Sequence, residues 1–133
     1  MSSKARIRRP ALTLWLMDGT VFLLLAYGVM CLAIGAVVDD ALEKAGDGFS
    51  GKDANALVAM MNANDRPLKD RNSAVWALGQ LGDPRALPSL EGLVTGAPCD
   101  HTAAVCQREL RKAIRQCRGG VNITRWAWKP FVL

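Results

Sequence analysis

The chain has 133 residues, of which half are hydrophobic and 22% are charged, and its formal net charge at pH 7 is +5. This length allows one small domain beside any membrane segment. Residues 39–100 hold six basic and ten acidic residues, whereas residues 101–133 hold seven basic residues and one acidic residue. The positive charge is therefore local, and we expect no nucleic-acid partner.

An uncharged stretch from Thr20 to Val38 dominates the N-terminal third of the chain. A helix rises 1.5 Å per residue, so this stretch is long enough to cross most of the hydrocarbon core of a bilayer. We predict a single transmembrane helix with an extension over residues 12–45, followed by a linker at residues 46–52.

The charges on either side of this stretch predict its orientation. Residues 1–11 contain no acid and four basic residues, Lys4, Arg6, Arg8 and Arg9. Excess Lys and Arg in a short flanking segment stays in the cytoplasm. The sequence therefore predicts a cytoplasmic N-terminus and an external C-terminal domain, which in a bacterium means the inner membrane and the periplasm. Ala33 and Gly35 have the spacing of a signal-peptide cleavage site, but the long apolar stretch favours an uncleaved anchor.

Three residues of the predicted span are candidates for packing against another membrane helix. Asp18 lies at headgroup level if the span is counted from Thr20, and inside the membrane if it is counted from Leu12. In the second case the carboxylate needs a polar partner on another subunit. Gly28 and Gly35 are seven residues apart, so they share a helix face that another helix could approach closely.

Residues 53–120 show helical periodicity and no strand-like alternation, so the predicted fold is all-α. Four helical segments are separated by breaks rich in Gly, Pro and Asp, and their predicted ranges are 53–63, 68–81, 84–94 and 101–117. We predict that they form two helical hairpins behind the transmembrane helix.

The segment from Arg71 to Val94, RNSAVWALGQLGDPRALPSLEGLV, resembles the HEAT repeat of phycobilisome-lyase-type HEAT-like proteins. The residues that match the pattern of that family are Arg71, Ala74, Ala77, Leu78, Gly79, Leu81, Gly82, Asp83, Pro84, Ala86, Pro88 and Leu90. The resemblance implies a scaffold of about two repeats, with this segment as the second helix of one repeat and the first helix of the next. Because solenoids usually need three repeats, we expect something else to cover the apolar edge.

Cys99 and Cys106 are the candidate disulfide pair. Cys106 and Cys117 share one predicted helix and are about 16 Å apart by helical rise, which is too far for a disulfide. Cys99 lies in the loop before that helix, so it can reach Cys106, and Cys117 is then unpaired. The alternative is that all three are reduced and buried. Together with His101, these cysteines match no zinc-ligand pattern, so we expect no metal.

No nucleophile beside a base, phosphate-binding glycine loop or pair of acids on one face is evident in the sequence. We therefore expect no enzyme activity, no cofactor and no small-molecule substrate.

Two features of the C-terminal region are candidates for binding a partner. The last predicted helix has a basic face formed by Arg108, Arg111, Lys112 and Arg115. This face is either solvated or docks on an acidic partner or on anionic headgroups. The tail, residues 121–133, contains Trp126, Trp128 and Phe131. These aromatic side chains cover the repeats as core, bind a partner protein or lie in the bilayer surface, and the sequence leaves these three alternatives open.

These features predict a non-catalytic, membrane-anchored scaffold or accessory subunit of a larger membrane complex, of the kind found in respiratory or photosynthetic assemblies. The HEAT-like surface and the tail would hold the partner. The alternatives are an enzyme-maturation factor with thiol- or bilin-related chemistry, and a free-standing periplasmic protein that binds peptides.

Overall fold

The computed structural model describes residues 9–48, 53–100 and 102–132, with side chains from residue 17 to residue 130. Within these ranges the chain is all-helical, as the sequence predicts. The six helices are α1 (Arg9–Gly46), α2 (Ala54–Asn62), α3 (Leu68–Leu81), α4 (Leu87–Gly92), α5 (Gln107–Cys117) and α6 (Arg125–Val132). The basic residues Lys4, Arg6 and Arg8 and most of the predicted linker lie outside the described residues.

Helix α1 has 38 residues and changes its surroundings along its length. From Met17 to Ala26 its side chains are exposed on all sides. From Tyr27 onward one face is covered, and the buried residues of that face are Cys31, Gly35, Val38, Ala41, Leu42 and Ala45. Their spacing of three or four residues places them on one stripe of the helix. The second half of α1 is therefore a core helix of the domain.

Helices α2 and α3 form the first hairpin. Asp53 caps α2, because its Oδ1 accepts hydrogen bonds of 3.0 Å from the backbone N–H groups of Asn55 and Ala56. At the other end of α2, the Nε–H of Arg71 on α3 donates to the carbonyl oxygen of Met61 over 2.9 Å. This hydrogen bond joins the C-terminal end of α2 to the start of α3.

A tight turn at Gly82–Asp83–Pro84 joins α3 to α4. Gly82 ends α3 in the left-handed region with φ of +59°, where glycine is strongly favoured. Asp83 then accepts a hydrogen bond of 2.9 Å from the backbone N–H of Arg85, and Pro84 opens a 3₁₀ turn. The predicted helix over residues 84–94 is thus a 3₁₀ turn followed by the short helix α4.

Helices α3 and α5 pack side by side and run in the same direction. At their starts, the Cys106 N–H donates to Asn72 Oδ1 over 2.9 Å. Near their ends, a Cβ added at Gly79 would lie 2.9 Å from the Cα of Ala113, so glycine permits this close approach. Such parallel stacking of successive second helices is typical of a HEAT-like solenoid.

The prediction that the last repeat helix begins at His101 is wrong, because α5 begins at Gln107. The Asp100 carboxylate accepts hydrogen bonds from the N–H and hydroxyl of Thr102, which favours a turn there. The Cys99–Cys106 disulfide then holds Cys106 at the cap position. Ala103, which lies within the predicted range of that helix, is exposed in the turn that precedes α5. His101 itself lies outside the described residues.

The C-terminal tail forms helix α6, which packs against α1. Asn122 caps it, since its Oδ1 accepts hydrogen bonds of 3.2 Å from the N–H groups of Thr124 and Arg125. Trp128 on α6 is 2% exposed and belongs to the hydrophobic core. Together α1 and α6 cover one side of the repeats. This is the apolar edge that we expected something outside the two repeats to cover.

Candidate interaction surface

An open groove of about 820 Å³ lies between α4 and the C-terminal half of α5. We call it the arginine groove, and its lining residues are Glu91, Val94, Arg111, Ile114, Arg115, Arg118, Gly119 and Gly120. Helical periodicity creates it, because Leu110, Ala113, Ile114 and Cys117 face the core and leave the arginines on the outer side of α5.

The three arginines of the groove differ in their pairing. Arg118 makes a 2.7 Å ion pair with Glu91, and both side chains are largely exposed, so the pair contributes little to stability. In the part of the chain that the structure describes, Arg111 and Arg115 form no salt bridge. Their guanidinium groups are therefore available to bind carboxylates in a bidentate geometry.

The groove also has apolar lining residues, Val94 from the segment after α4 and Ile114 from α5, and we call them its apolar floor. A surface that combines free guanidinium groups with an apolar floor suits a peptide segment with acidic and hydrophobic side chains. The carboxylate among the residues that line the groove, Glu91, is paired with Arg118.

The basic residues that the sequence singles out do not share one site, although Lys112 and Arg115 both line a smaller neighbouring cavity. Arg111 and Arg115 line the groove. Lys112 instead lies beside Glu109, with 3.8 Å between Nζ and Oε2. Arg108 lies at the opposite end of α5, where its backbone N–H is 3.1 Å from the sulfur of Cys99.

The three tail aromatics have different surroundings. Trp128 is buried, and its Nε1–H has no hydrogen-bond partner among the described residues. Because it is core, Trp128 is not available to dock on a partner. Trp126 is 74% exposed on the same short helix. The side chain of Phe131 lies outside the described residues.

The disulfide between Cys99 and Cys106 is present, with Cα atoms 5.1 Å apart. Cys31 and Cys117 are free and buried. Burial, with a smaller contribution from the negative charge of Asp83, raises the pKa of the Cys117 thiol to about 11. A thiol that stays protonated at neutral pH is a poor nucleophile, so Cys117 is structural in character.

The three candidate packing residues of α1 also differ in their surroundings. Gly35 is buried within the chain's own domain, so it is not free to contact another subunit. Gly28 has open space where a Cβ would point. Asp18 is exposed. Nine residues, or two and a half helical turns, separate it from Tyr27, so Asp18 lies on the side of α1 that faces away from the domain.

Two hydrogen bonds that hold the C-terminal tail against the rest of the chain were not predicted from the sequence. Tyr27 donates a 2.6 Å hydrogen bond from its hydroxyl to the carbonyl oxygen of Ile123, and Arg125 donates to the carbonyl of Leu81 over 3.3 Å. A lone tyrosine in an apolar stretch indicates a hydrogen bond to another segment, since a tyrosine hydroxyl usually has a partner when it is removed from water. The Asn122–Thr124 pattern before an apolar helix is a second signal, because Asn is a preferred N-cap.

Comparison with known families identifies one part of the chain. Residues 70–94 match the family model of the PBS lyase HEAT-like repeat. The chain carries a HEAT-like repeat of this family. The matched residues cover α3 from Asp70 onward, the turn at Gly82 and α4, in agreement with the predicted segment. No match was found among curated proteins or among solved structures.

Residues Met17–Gly46 of α1 are long and apolar enough to cross a membrane. By length and composition alone, such an N-terminal helix is either a membrane span or a signal sequence. The HEAT-like repeat suggests a protein-interaction or scaffold role for the part that follows.

Proposed function

We propose that this protein is a non-catalytic scaffold or accessory subunit of a larger membrane complex, held by α1 and binding an acidic segment of a partner in the arginine groove. The observation that carries the proposal is that Arg111 and Arg115, which form no salt bridge within the described part of the chain, line one groove together with the apolar residues Val94 and Ile114. Arginine and buried apolar contacts are typical anchors at protein interfaces.

Packing within the domain supports an uncleaved anchor rather than a signal sequence. Cleavage after Gly35 would remove Tyr27, which hydrogen-bonds Ile123, and Cys31, which is buried. Helix α6 packs against α1, so a shortened α1 would lose the hydrogen bond that holds the start of the tail.

The outer face of α1 supports packing against another membrane helix. Asp18, Phe22, Leu25 and Val29 repeat at three- or four-residue intervals on this face, and each is exposed. The three apolar residues suit a lipid or helix contact, whereas the carboxylate favours a partner helix that supplies a hydrogen-bond donor or a cation.

The orientation and location are part of the same proposal. Four basic residues before the span favour a cytoplasmic N-terminus. A disulfide at Cys99–Cys106 fits an oxidising compartment such as the bacterial periplasm. We expect a reporter that works only outside the cytoplasm to be active when it is fused after Leu133. Activity of a cytoplasm-specific reporter at the same position would reject this orientation.

The groove offers a sharp test, because neighbouring residues on α5 provide a matched pair. Arg111 lines the arginine groove, whereas Lys112 does not. The substitutions Arg111→Glu and Lys112→Glu make the same change in charge on the same helix. We expect Arg111→Glu to abolish co-purification of the partner from mild detergent, and Lys112→Glu to retain it, as measured by native gels and mass spectrometry of the bands.

Two outcomes would reject the groove as the docking site. If both variants keep the partner, the groove is not used. If both lose it equally, the attraction depends on net charge and not on the groove. Binding that does not weaken between low and high salt would also contradict an electrostatic contact.

A second candidate function is a free-standing periplasmic protein that binds peptides, which the open shape and size of the groove also favour. It predicts that the wild-type chain purifies alone under mild conditions. A thiol-based maturation factor is disfavoured, because burial raises the pKa of Cys117 to about 11 and the remaining domain cysteines form the disulfide.

A further inference from the structure

Three exposed apolar residues lie at the turn before α6 and on its first turn. Val121 is 90% exposed, Ile123 is 61% exposed and Trp126 is 74% exposed. We call this set the apolar tip. Three apolar side chains at such exposure within six residues of a small domain indicate a surface that contacts something other than water.

The apolar tip lies beside α1, at the level of the apolar stretch. The hydroxyl of Tyr27 donates to the carbonyl oxygen of Ile123 over 2.6 Å, which fixes the tip against the helix at this residue. Asn122, next to Ile123, is held on the domain side by a 2.8 Å hydrogen bond from its amide to Gln80 Oε1. The tip is thus held at one defined height along α1.

The length of α1 before Tyr27 indicates where the bilayer lies relative to the apolar tip. The side chains from Met17 to Ala26 form a bare segment in which every residue is exposed, whereas the domain covers one face of α1 from Tyr27 onward. Helix α1 begins at Arg9, so the part of it that precedes Tyr27 is about 27 Å long at 1.5 Å per residue. That is close to the hydrocarbon thickness of a bilayer, roughly 30 Å. Placing the membrane farther along α1 would bury the charged residues of α6 in hydrocarbon.

We propose that the apolar tip inserts into the interfacial region of the bilayer that α1 spans and seats the domain on the membrane surface. Trp is enriched at this level of membranes, and Val and Ile gain from leaving water. The charge around the tip fits an anionic surface, since Arg118, Arg125 and Lys129 flank it and no acidic residue follows Glu109 in the chain.

This placement moves the predicted span toward the N-terminus. Arg9 then marks the cytoplasmic boundary and Tyr27 the external one. Asp18 lies nine residues before Tyr27, about 13 Å along the helix, which is close to the middle of the hydrocarbon core. Asp18 is therefore intramembrane, at a depth where a carboxylate is normally paired with a polar group of a neighbouring helix.

The test uses the full chain in vesicles, without any partner, so it does not depend on the proposed docking function. Val121→Cys, labelled with a polarity-sensitive fluorophore, reports on the tip. Asn62→Cys is the control, because Asn62 is exposed at the C-terminal end of α2. The hydrogen bond from Arg71 to Met61 holds this end beside the start of α3, away from the tip. Both natural free cysteines are buried, and the unmutated chain measures any residual labelling.

We expect blue-shifted emission at position 121 and quenching by lipids that carry a spin label near the headgroup, with neither effect at position 62. Ile123→Cys provides a second reporter should the label at position 121 disturb the turn. Equal, water-like emission at positions 121 and 62 would overturn the proposal and leave the tip as a protein-docking or solvated surface. The shift should grow when phosphatidylglycerol is added to phosphatidylcholine vesicles, and an unchanged shift would reject the contribution of the cations.

Discussion

The two halves of α1 are one continuous helix in two different surroundings. In the first half, apolar side chains such as Phe22 and Leu24 point outward on all sides and are exposed. In the second half, Val38 and Leu42 are buried while Asp39 and Glu43 on the other side are exposed. A uniformly apolar helix suits lipid, whereas an amphipathic one suits a domain surface. One face of the helix is covered from Tyr27 onward, while the exposed face stays apolar at Val29, Leu32 and Val37 and becomes charged at Asp39.

The largest expected effect comes from removing the side chain that α6 contributes to the core. Trp128→Ala should lower the free energy of unfolding by about 3–5 kcal/mol, because it leaves a large cavity. Trp126→Ala is the matched control at an exposed site and should change stability by about 0.5 kcal/mol or less. Alkylation of the buried thiols during thermal unfolding in detergent measures both. Equal effects of the two variants would contradict the assignment of Trp128 to the core.

The next test compares the same substitution in each half of α1. Leu42 is 1% exposed in the core, whereas Leu24 is 65% exposed on the bare segment. Leu42→Ala should destabilise the domain by about 2–5 kcal/mol. Leu24→Ala should leave the melting temperature of the domain unchanged, since no domain residue covers it. A comparable loss in both variants would show that the bare segment is part of the folded core.

A smaller effect is expected at the boundary between the halves. Tyr27→Phe removes the hydroxyl that donates to Ile123 and should cost about 0.5–1.5 kcal/mol, the net contribution of one hydrogen bond. The loss should be local. Hydrogen exchange of the α6 amides should accelerate, whereas exchange in α3 should not change. Unaltered exchange throughout α6 would mean that this hydrogen bond does not hold the tail against α1.

The last prediction concerns an effect that develops only at high pH, at Cys117 on α5. The pKa of Cys117 is raised from 9.0 to about 11, so the folded state holds this proton more tightly than the unfolded chain does. The resulting stability is complete below pH 9 and is lost as the pH rises toward 11. Cys117→Ala should flatten the fall in melting temperature across this range, with Cys31→Ala as the control. An identical fall in the Cys117→Ala variant would contradict the shift.

Much of the fold could be predicted from short-range patterns. The turn at Gly82 depends on one left-handed residue and an adjacent Asp–Pro pair, so its sequence is diagnostic. The disulfide closes a loop of few residues, so spacing alone restricts the pairing. The start of α5 was missed, because the disulfide and the hydrogen bond from Cys106 to Asn72 override the helical periodicity before Gln107.

The sequence by itself determined that this chain has an apolar N-terminal helix, a HEAT-like repeat and a basic last repeat helix, because each follows from residues close together in the chain. Only the tertiary structure decided which half of that helix is bare, which tail tryptophan is core and which arginines share a groove. The physical reason is that these outcomes depend on contacts between distant segments. Tyr27 and Ile123 are 96 residues apart, and no local pattern specifies that they meet.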